Sequence, residues 1–331
     1  MIKTIANYTH DRLSRGPAWL AQAYINLMSF ASRWLLPRSL SLRIHNSVCG
    51  YVYGRRWKPM RFAARKVRMG EGTVVSFVPD LSGFEGEALF CRDFSYEPAL
   101  VRWLEANVAA RYDLVIEIGA NVGIYTVFLD ALYRSAPPAR DVTPRIVSFE
   151  PSEKAYRRLL ANLAANVTSF VNTYQSAIGR SSGVQTFFEP THHLTNGSFV
   201  RSFSEFFSDE IVESRVVTLA AAELDRWLET AGGRSLIKID VEGFEPQLLE
   251  ALGPSIEKYR PDLVIEVLPV TAQALNECAA ISGYDRYLIS MHGLQQRESF
   301  EGDKDHYDWL LCWPGRPHAS ANLAAAKAVV H

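Results

Sequence analysis

The sequence predicts an α/β protein whose mostly parallel sheet carries helices on both faces. Three observations point to it. Short apolar runs alternate with helical periodicities from residue 113 to 313, and runs such as DLVIEIG (113–119) and DLVIEVL (262–268) are apolar on both sides, as strands covered by helices must be. A glycine-rich junction closes the first of these runs. Finally, the 331 residues are 48% hydrophobic and 21% charged, enough apolar material for a sizeable core and far from a disordered composition. The length suits one enlarged domain or two ordinary ones.

Residues 1–70 stand apart as a basic amphipathic extension. They hold 13 Lys+Arg and a single acid, Asp11, in a chain whose totals are 35 basic and 36 acidic residues. Residues 18–36 form one helix closed by Pro37, with Trp19, Tyr24, Phe30 and Trp34 on it and a polar stripe of Gln22, Asn26, Ser29 and Arg33. That stripe argues against a lipid-spanning helix. With the basic run RRWKPMRFAARKVR (55–68), the extension suits peripheral contact with an anionic membrane surface; a helix packed on the remaining domain is the other reading. No cleavable leader is evident, and Cys49, Cys91, Cys278 and Cys312 have no metal-type spacing, so the expectation is a cytoplasmic protein with buried thiols.

From residue 71 to 315 the expected elements run in order. Strands are read at TVVSFV (73–78) and EALFC (87–91), then a helix at 98–110. Strand 113–119, a helix from Val122, strand 145–150, a helix from Ser152 and strand 167–174 follow. An extra strand, GVQTFF (183–188), precedes an insertion at 189–215. Strand 235–240, a helix from Phe244, strand 262–268, a helix from Thr271, and strands 284–290 and 306–313 complete the series. Residues 316–331 read as a flexible tail.

Chemistry gathers at three junctions. The first is Glu117-Ile-Gly119-Ala-Asn121-Val-Gly123. In open α/β sheets ligands bind beyond the carboxyl ends of strands, where glycine lets the backbone approach them. Asn121 breaks the G-x-G-x-x-G spacing of a dinucleotide loop, which argues against a nicotinamide dehydrogenase, and Glu117 would welcome a cationic group rather than a pyrophosphate. The second is Glu150, placed at a strand end to accept the hydroxyls of a ribose, although its distance from the first loop is longer than usual. An adenosine with a cationic amino-acid tail is S-adenosylmethionine. The third is IKIDVEGFE (237–245), where Asp240, Glu242 and Glu245 crowd three carboxylates, with helix-dipole compensation as the plain reading for the last two. No [DN]-P-P-[YFW] tetrapeptide marks adenine-amine methylation here.

EIGANVGIYT (117–126), FEPS (149–152), IKIDVEGFE (237–245) and FSYEP (94–98) together resemble the FkbM-type methyltransferase family over about residues 72–313. The resemblance implies a seven-stranded Rossmann-like class I fold and S-adenosylmethionine-dependent O-methylation of a sugar, glycolipid, polysaccharide or related natural product. Carried over, Glu117, Gly119, Asn121 and Gly123 would hold the methionine part of the cofactor, Glu150 the ribose, and Ser176 and Ala177 the adenine edge. Glu97 would sit near the reacting end. The loop at 134–145 and the insertion at 189–215 depart from the family pattern and leave the acceptor open.

An aliphatic hydroxyl needs a general base, and Asp240, Glu242 and His292 are the candidates. Asp240 could instead anchor a divalent cation; a metal-free site is preferred because no second oxygen-ligand cluster is evident. His192 and His193 would be lid or acceptor contacts, and Phe199, Phe203, Phe206 and Phe207 would stack on sugar rings or form the lid's own core. A carbohydrate or lipid-linked glycan is thus the expected partner. The alternative is an RNA-directed methyltransferase using the basic arm, against which the acidic remainder of the chain weighs. Oligomeric state is left open.

Overall fold

The computed structural model describes residues 17–52, 60–136, 142–191, 196–302 and 307–315. His192, His193, the tail 316–331, the Pro- and Arg-containing centre of the loop 134–145 and the Arg55–Lys58 part of the basic run lie outside them.

Pro37 separates α1 (Ala18–Leu35) from α2 (Arg38–Val52). A two-stranded antiparallel ribbon follows, β1 (Arg65–Met69) with β2 (Thr73–Phe77), so the end of the basic run is a strand. EALFC, expected as a strand, is the helical turn α3 (Glu87–Phe90). Its carbonyls are occupied from α1: Ser29 donates to Leu89 O at 2.6 Å, and Arg33 donates to the carbonyls of Ala88 and Cys91. A backbone capped by side chains in this way has no strand partner to seek.

The α/β core then runs α4 (Pro98–Arg111), β3 (Leu114–Ile118), α5 (Ile124–Ser135), β4 (Arg145–Phe149), α6 (Glu153–Ala164), β5 (Val171–Tyr174). Beyond it come β6 (Ala177–Gly179), β7 (Gly183–Pro190), α7 (Arg201–Phe207), β8 (Ile211–Ala220) and α8 (Asp225–Leu228). The chain closes with β9 (Ser235–Ile239), α9 (Glu245–Tyr259), β10 (Asp262–Glu266), α10 (Ala272–Glu277), β11 (Asp285–Ser290), β12 (Gly293–Arg297) and β13 (Asp308–Cys312).

The main sheet has the order β12-β11-β13-β10-β9-β3-β4-β5, eight strands among the described residues against the seven expected. The eighth, β12, is the return arm of a hairpin with β11; its sequence GLQQR has no apolar alternation to announce it. The neighbours β5, β4, β3, β9 and β10 pair in parallel, and β13 is antiparallel to both strands beside it. Strand order reverses between β3 and β9, so the loops after these two strands meet at the switch point. The strand expected at 167–174 is confined to Val171–Tyr174. Of the insertion expected at 189–215, residues 189–190 end β7 and residues 211–215 begin β8, the remainder connecting the two strands, which with β6 form a separate three-stranded sheet.

Strand alternation divides the core in two. Leu114, Ile116, Ile118, Ile237 and Ile239 pack on α9 through Leu248, Leu249 and Leu252. On the opposite face Val115, Leu236 and Val264 pack with Leu100, Leu104, Val127 and Phe128 of α4 and α5. A third cluster joins Ile25 and Val48 of the N-terminal helices to Leu81, Leu89 and Phe90. Cys91, Cys278 and Cys312 are buried thiols.

Candidate functional site

The loops at the switch point come together because glycine permits it. Gly119 has φ +87°, and a Cβ there would collide with the carbonyl oxygen of Asp240. The backbone of Asp240 donates to Ile118 O at 3.1 Å, locking the loop after β9 against the loop after β3. Asn121, at φ +51°, adopts the left-handed conformation that asparagine tolerates without needing glycine, and Gly123 (φ +82°) opens α5.

Above these loops lies a cleft of about 600 Å³, including its open side. Gly119, Asn121, Glu150, Ser176, Ala177, Asp240 and Glu242 all line it, so most of the residues singled out from the sequence share one cavity. Phe187, Phe199 and Phe244 form an aromatic wall, Phe199 lying 5.1 Å from Phe187 and 5.2 Å from Phe244 between ring centres. Of the aromatics in the β7–β8 connection, Phe199 meets the cleft, Phe203 packs beside Gly243, and Phe206 is exposed.

Glu150 is held at both oxygens: Asn121 N–H donates to Oε2 at 2.8 Å and Ser152 N–H to Oε1 at 2.8 Å. Burial nevertheless pushes its pKa up to about 7, against the opposing pull of those two amides. The Ser176 hydroxyl is buried on the cleft wall with no hydrogen-bond partner among the described residues. A buried donor facing a cavity is costly unless a ligand meets it. That orphaned hydroxyl and the fixed Glu150 carboxylate suit the polar edges of a nucleoside.

Glu117 does not line the cleft. It points to the α5 side of the sheet, accepting from Thr126 Oγ1 at 2.5 Å and Ser148 Oγ at 3.0 Å. Its strand neighbours in register are Ser148 on β4 and Lys238 on β9, which makes a buried polar row across three strands. Burial raises Glu117 to about 7, opposed by Lys238 and the two hydroxyls.

Lys238 is the residue sequence reasoning left without a role. A buried lysine in the middle of an apolar strand requires partners, and that was the available signal. Its Nζ lies 2.8 Å from Asp240 Oδ2 and 4.6 Å from the centre of the Tyr125 ring. Burial opposes its charge, but Asp240, Glu97 and Glu117 outweigh burial and hold the ammonium above the usual lysine range.

Around that ammonium stands a second group. Tyr125 donates to Glu97 Oε2, and Tyr96 also bonds Glu97. Glu97 precedes Pro98, which excludes the helical backbone, and sits at φ +40°. Burial lifts its pKa, with Lys238 pulling the other way and Asp240 reinforcing the rise. Glu266, at the end of β10, and Asp308, at the start of β13, join the same edge, each raised first by burial and next by a neighbouring carboxylate, Asp240 and Glu97 respectively. Glu242 (φ +56°) bonds Asn196 and is also raised by burial and by Asp240. Three of the four non-glycine residues with positive φ among those described, Glu97, Asn121 and Glu242, thus fall at one edge of the sheet.

Glu245 serves the backbone. Its Oε1 accepts from the N–H groups of Val241 and Gly243 at 3.1 Å each, fastening the turn into α9. His292 is exposed in the β11–β12 turn, three strands and about 14 Å from β9 across the sheet. It is not brought together with Asp240 or Glu242. Among the described residues no group of His, Cys, Asp or Glu has the geometry of a metal site.

A mostly parallel sheet with a glycine-loosened switch point and an acid at the end of the next strand is a Rossmann-like arrangement. The chain belongs to the family of the Methyltransferase FkbM domain, whose model matches residues 117–290, more than half of its length. S-adenosylmethionine is the cofactor of such a methyltransferase. Similar solved structures include methyltransferase FkbM from Methylobacillus flagellatus KT, at 14% identity over 61% of this chain and 44% of that one, TM-score 0.39. The chain therefore matches less than half the length of that protein. A SAM-dependent methyltransferase from Agrobacterium tumefaciens shares 10% identity over 79% of this chain and 74% of that one, TM-score 0.39. Cofactor-bound Rv0187 from MTB shares 14% over 66% and 80%, TM-score 0.33. No curated protein matches the chain.

Proposed function

We propose that the protein methylates a hydroxyl of a sugar, glycolipid, polysaccharide or related natural product, with Asp240 as the general base. The observation that carries this is the Lys238–Asp240 pair: a cleft-lining carboxylate fixed at 2.8 Å by a buried ammonium, beside Glu97, Tyr96 and Tyr125. When bound, the cofactor supplies an electrophilic methyl group on sulfonium and departs as a neutral thioether. The chain's own residues do the rest. Gly119, Asn121 and Gly123 would carry the methionine part, with Glu117 bracing the loop from below, while Glu150 takes the ribose and Ser176 and Ala177 the adenine edge.

An alcohol is a weak nucleophile unless its proton leaves as the new bond forms, and Asp240 Oδ1 is the oxygen to take it while Lys238 holds Oδ2. Glu242, bonded to Asn196, would orient the acceptor. The aromatic and acid-lined surroundings favour an uncharged polyol over a phosphodiester, so the hydroxyl reading is preferred to the RNA-directed one.

The test is methyl transfer to a panel of neutral glycosides and glycolipids by wild type and Asp240→Asn. The variant is expected to lose at least about a hundredfold in kcat, the usual worth of a positioned base, with cofactor affinity changed far less. Full turnover by Asp240→Asn, or methylation of amines alone, would contradict the assignment.

A further inference from the structure

Helix α1 is mounted with Gln22, Ser29 and Arg33 of its polar stripe toward the protein, Asn26 alone of the four being exposed. Ser29 and Arg33 spend their donors on the backbone of residues 88, 89 and 91, and Arg33 also donates to Lys66 O at 2.7 Å. Gln22 accepts from the Arg61 backbone. Ala21, Ile25 and Ser32 are buried beside them. The outward face is the apolar one: Trp19 is 70% exposed, Leu27 66%, Phe30 57% and Trp34 60%. Leu20, Leu27 and Trp34 recur every seven residues with Phe30 between them, a single stripe along the helix. A water-soluble helix ordinarily does the reverse, so this face is built for something other than water.

The electrostatic setting names the occupant. Residues 17–70 contain no acid at all. Arg38 follows the helix directly; Arg61 and Lys66 are tied to it through their backbones; the Arg92 guanidinium lies 4.0 Å over the Trp34 ring. All four are exposed. Large aromatics at both ends of an apolar stripe, with exposed cations around them and Asp93 already paired with Arg68, match the chemistry of an anionic bilayer surface, where rings settle at headgroup depth and lysines and arginines meet phosphates. No helix among the described residues is long and apolar enough to cross a membrane, so contact would be with the surface.

We propose that the outer face of α1 docks the protein on an anionic lipid bilayer. The position of the helix connects this to the site. α1 packs on α3, α3 follows the turn at Phe84, and the half-exposed Phe84 ring lies 4.8 Å from Tyr96, the neighbour of Glu97. Contacts thus run without a break from the docking helix to the neighbour of Glu97, and a lipid-linked acceptor is the substrate such docking would suit. The docking itself holds independently of which hydroxyl is methylated.

The experiment is co-sedimentation of the full chain with phosphatidylcholine vesicles, with and without phosphatidylserine, for wild type and Leu27→Asp/Phe30→Asp, with sedimentation velocity in the absence of lipid. Both substituted side chains are exposed, and an unchanged melting curve and cofactor affinity would confirm that the variant folds. Wild type is expected to bind the phosphatidylserine vesicles, more weakly at high salt, and the variant to lose at least about tenfold in partitioning. Failure of wild type to bind either vesicle, or equal binding by the variant, overturns the proposal. So does a lipid-free wild-type dimer that the variant abolishes without any vesicle binding, since the face would then belong to a second copy of the chain.

Discussion

Glu150 shows how a single side chain can report on the cofactor. Its pKa, raised to about 7 by burial, lies well above the ordinary carboxylate value. Without cofactor, such a group contributes stability below about pH 4.5 and loses that contribution as pH rises through about 7. If Glu150 holds the ribose as proposed, the ribose hydroxyls would donate to the ionised form, so binding has the opposite sign: affinity should climb from about pH 6 to about pH 8 and fall away on the acid side. Glu150→Gln should bind about tenfold more weakly at about pH 8 and lose most of that climb, one charge-assisted pair of hydrogen bonds being worth about that much. Calorimetry across that range checks it, and a climb unchanged in the variant would remove Glu150 from the ribose. The place of this residue at a strand end beside the cleft was legible in the sequence, because strand ends in such sheets face the ligand side. Glu117 was only half legible: the motif marks it, but strand alternation turns it to the α5 face toward Thr126 and Ser148, a direction that depends on the register of three strands.

At the scale of elements, the polar row Ser148–Glu117–Lys238 across β4, β3 and β9 ties the cofactor loop to the acceptor edge. Removing the cation leaves Glu117, Asp240 and Glu97 facing one another without compensation. Lys238→Met is expected to destabilise the fold by about 3–5 kcal/mol, the usual consequence of breaking a buried ion pair from one side. Adding Glu117→Gln should restore part of the loss, and denaturant unfolding of the single and double variants measures both. A Lys238→Met protein as stable as wild type would mean that the row is not a unit. The alternating strands and helices from 113 to 290 were readable because period and length agree with the burial they serve. What was not readable depends on partners distant in sequence. The EALFC turn is helical because Ser29 and Arg33 cap it from α1, β8 exists because β6 and β7 flank it, and the inward Ser29 and Arg33 of α1 need the backbone of α3 to explain them.

Across the whole molecule, charge is partitioned by region. The N-terminal helices carry cations around an apolar outer face, while the carboxyl edge of the sheet gathers Glu97, Asp240, Glu242, Glu266 and Asp308 about one buried ammonium. The glycine-loosened switch point lies next to that edge and connects it to the nucleoside half of the cleft. The central claim is that this cleft holds S-adenosylmethionine and not a dinucleotide, which Asn121 and the acid-rich lining disfavour. Calorimetric titration of the purified protein with S-adenosylmethionine, and separately with NAD, tests it most directly. Saturable one-site binding of S-adenosylmethionine with no heat from NAD is the predicted result; binding of NAD, or of neither, would contradict it.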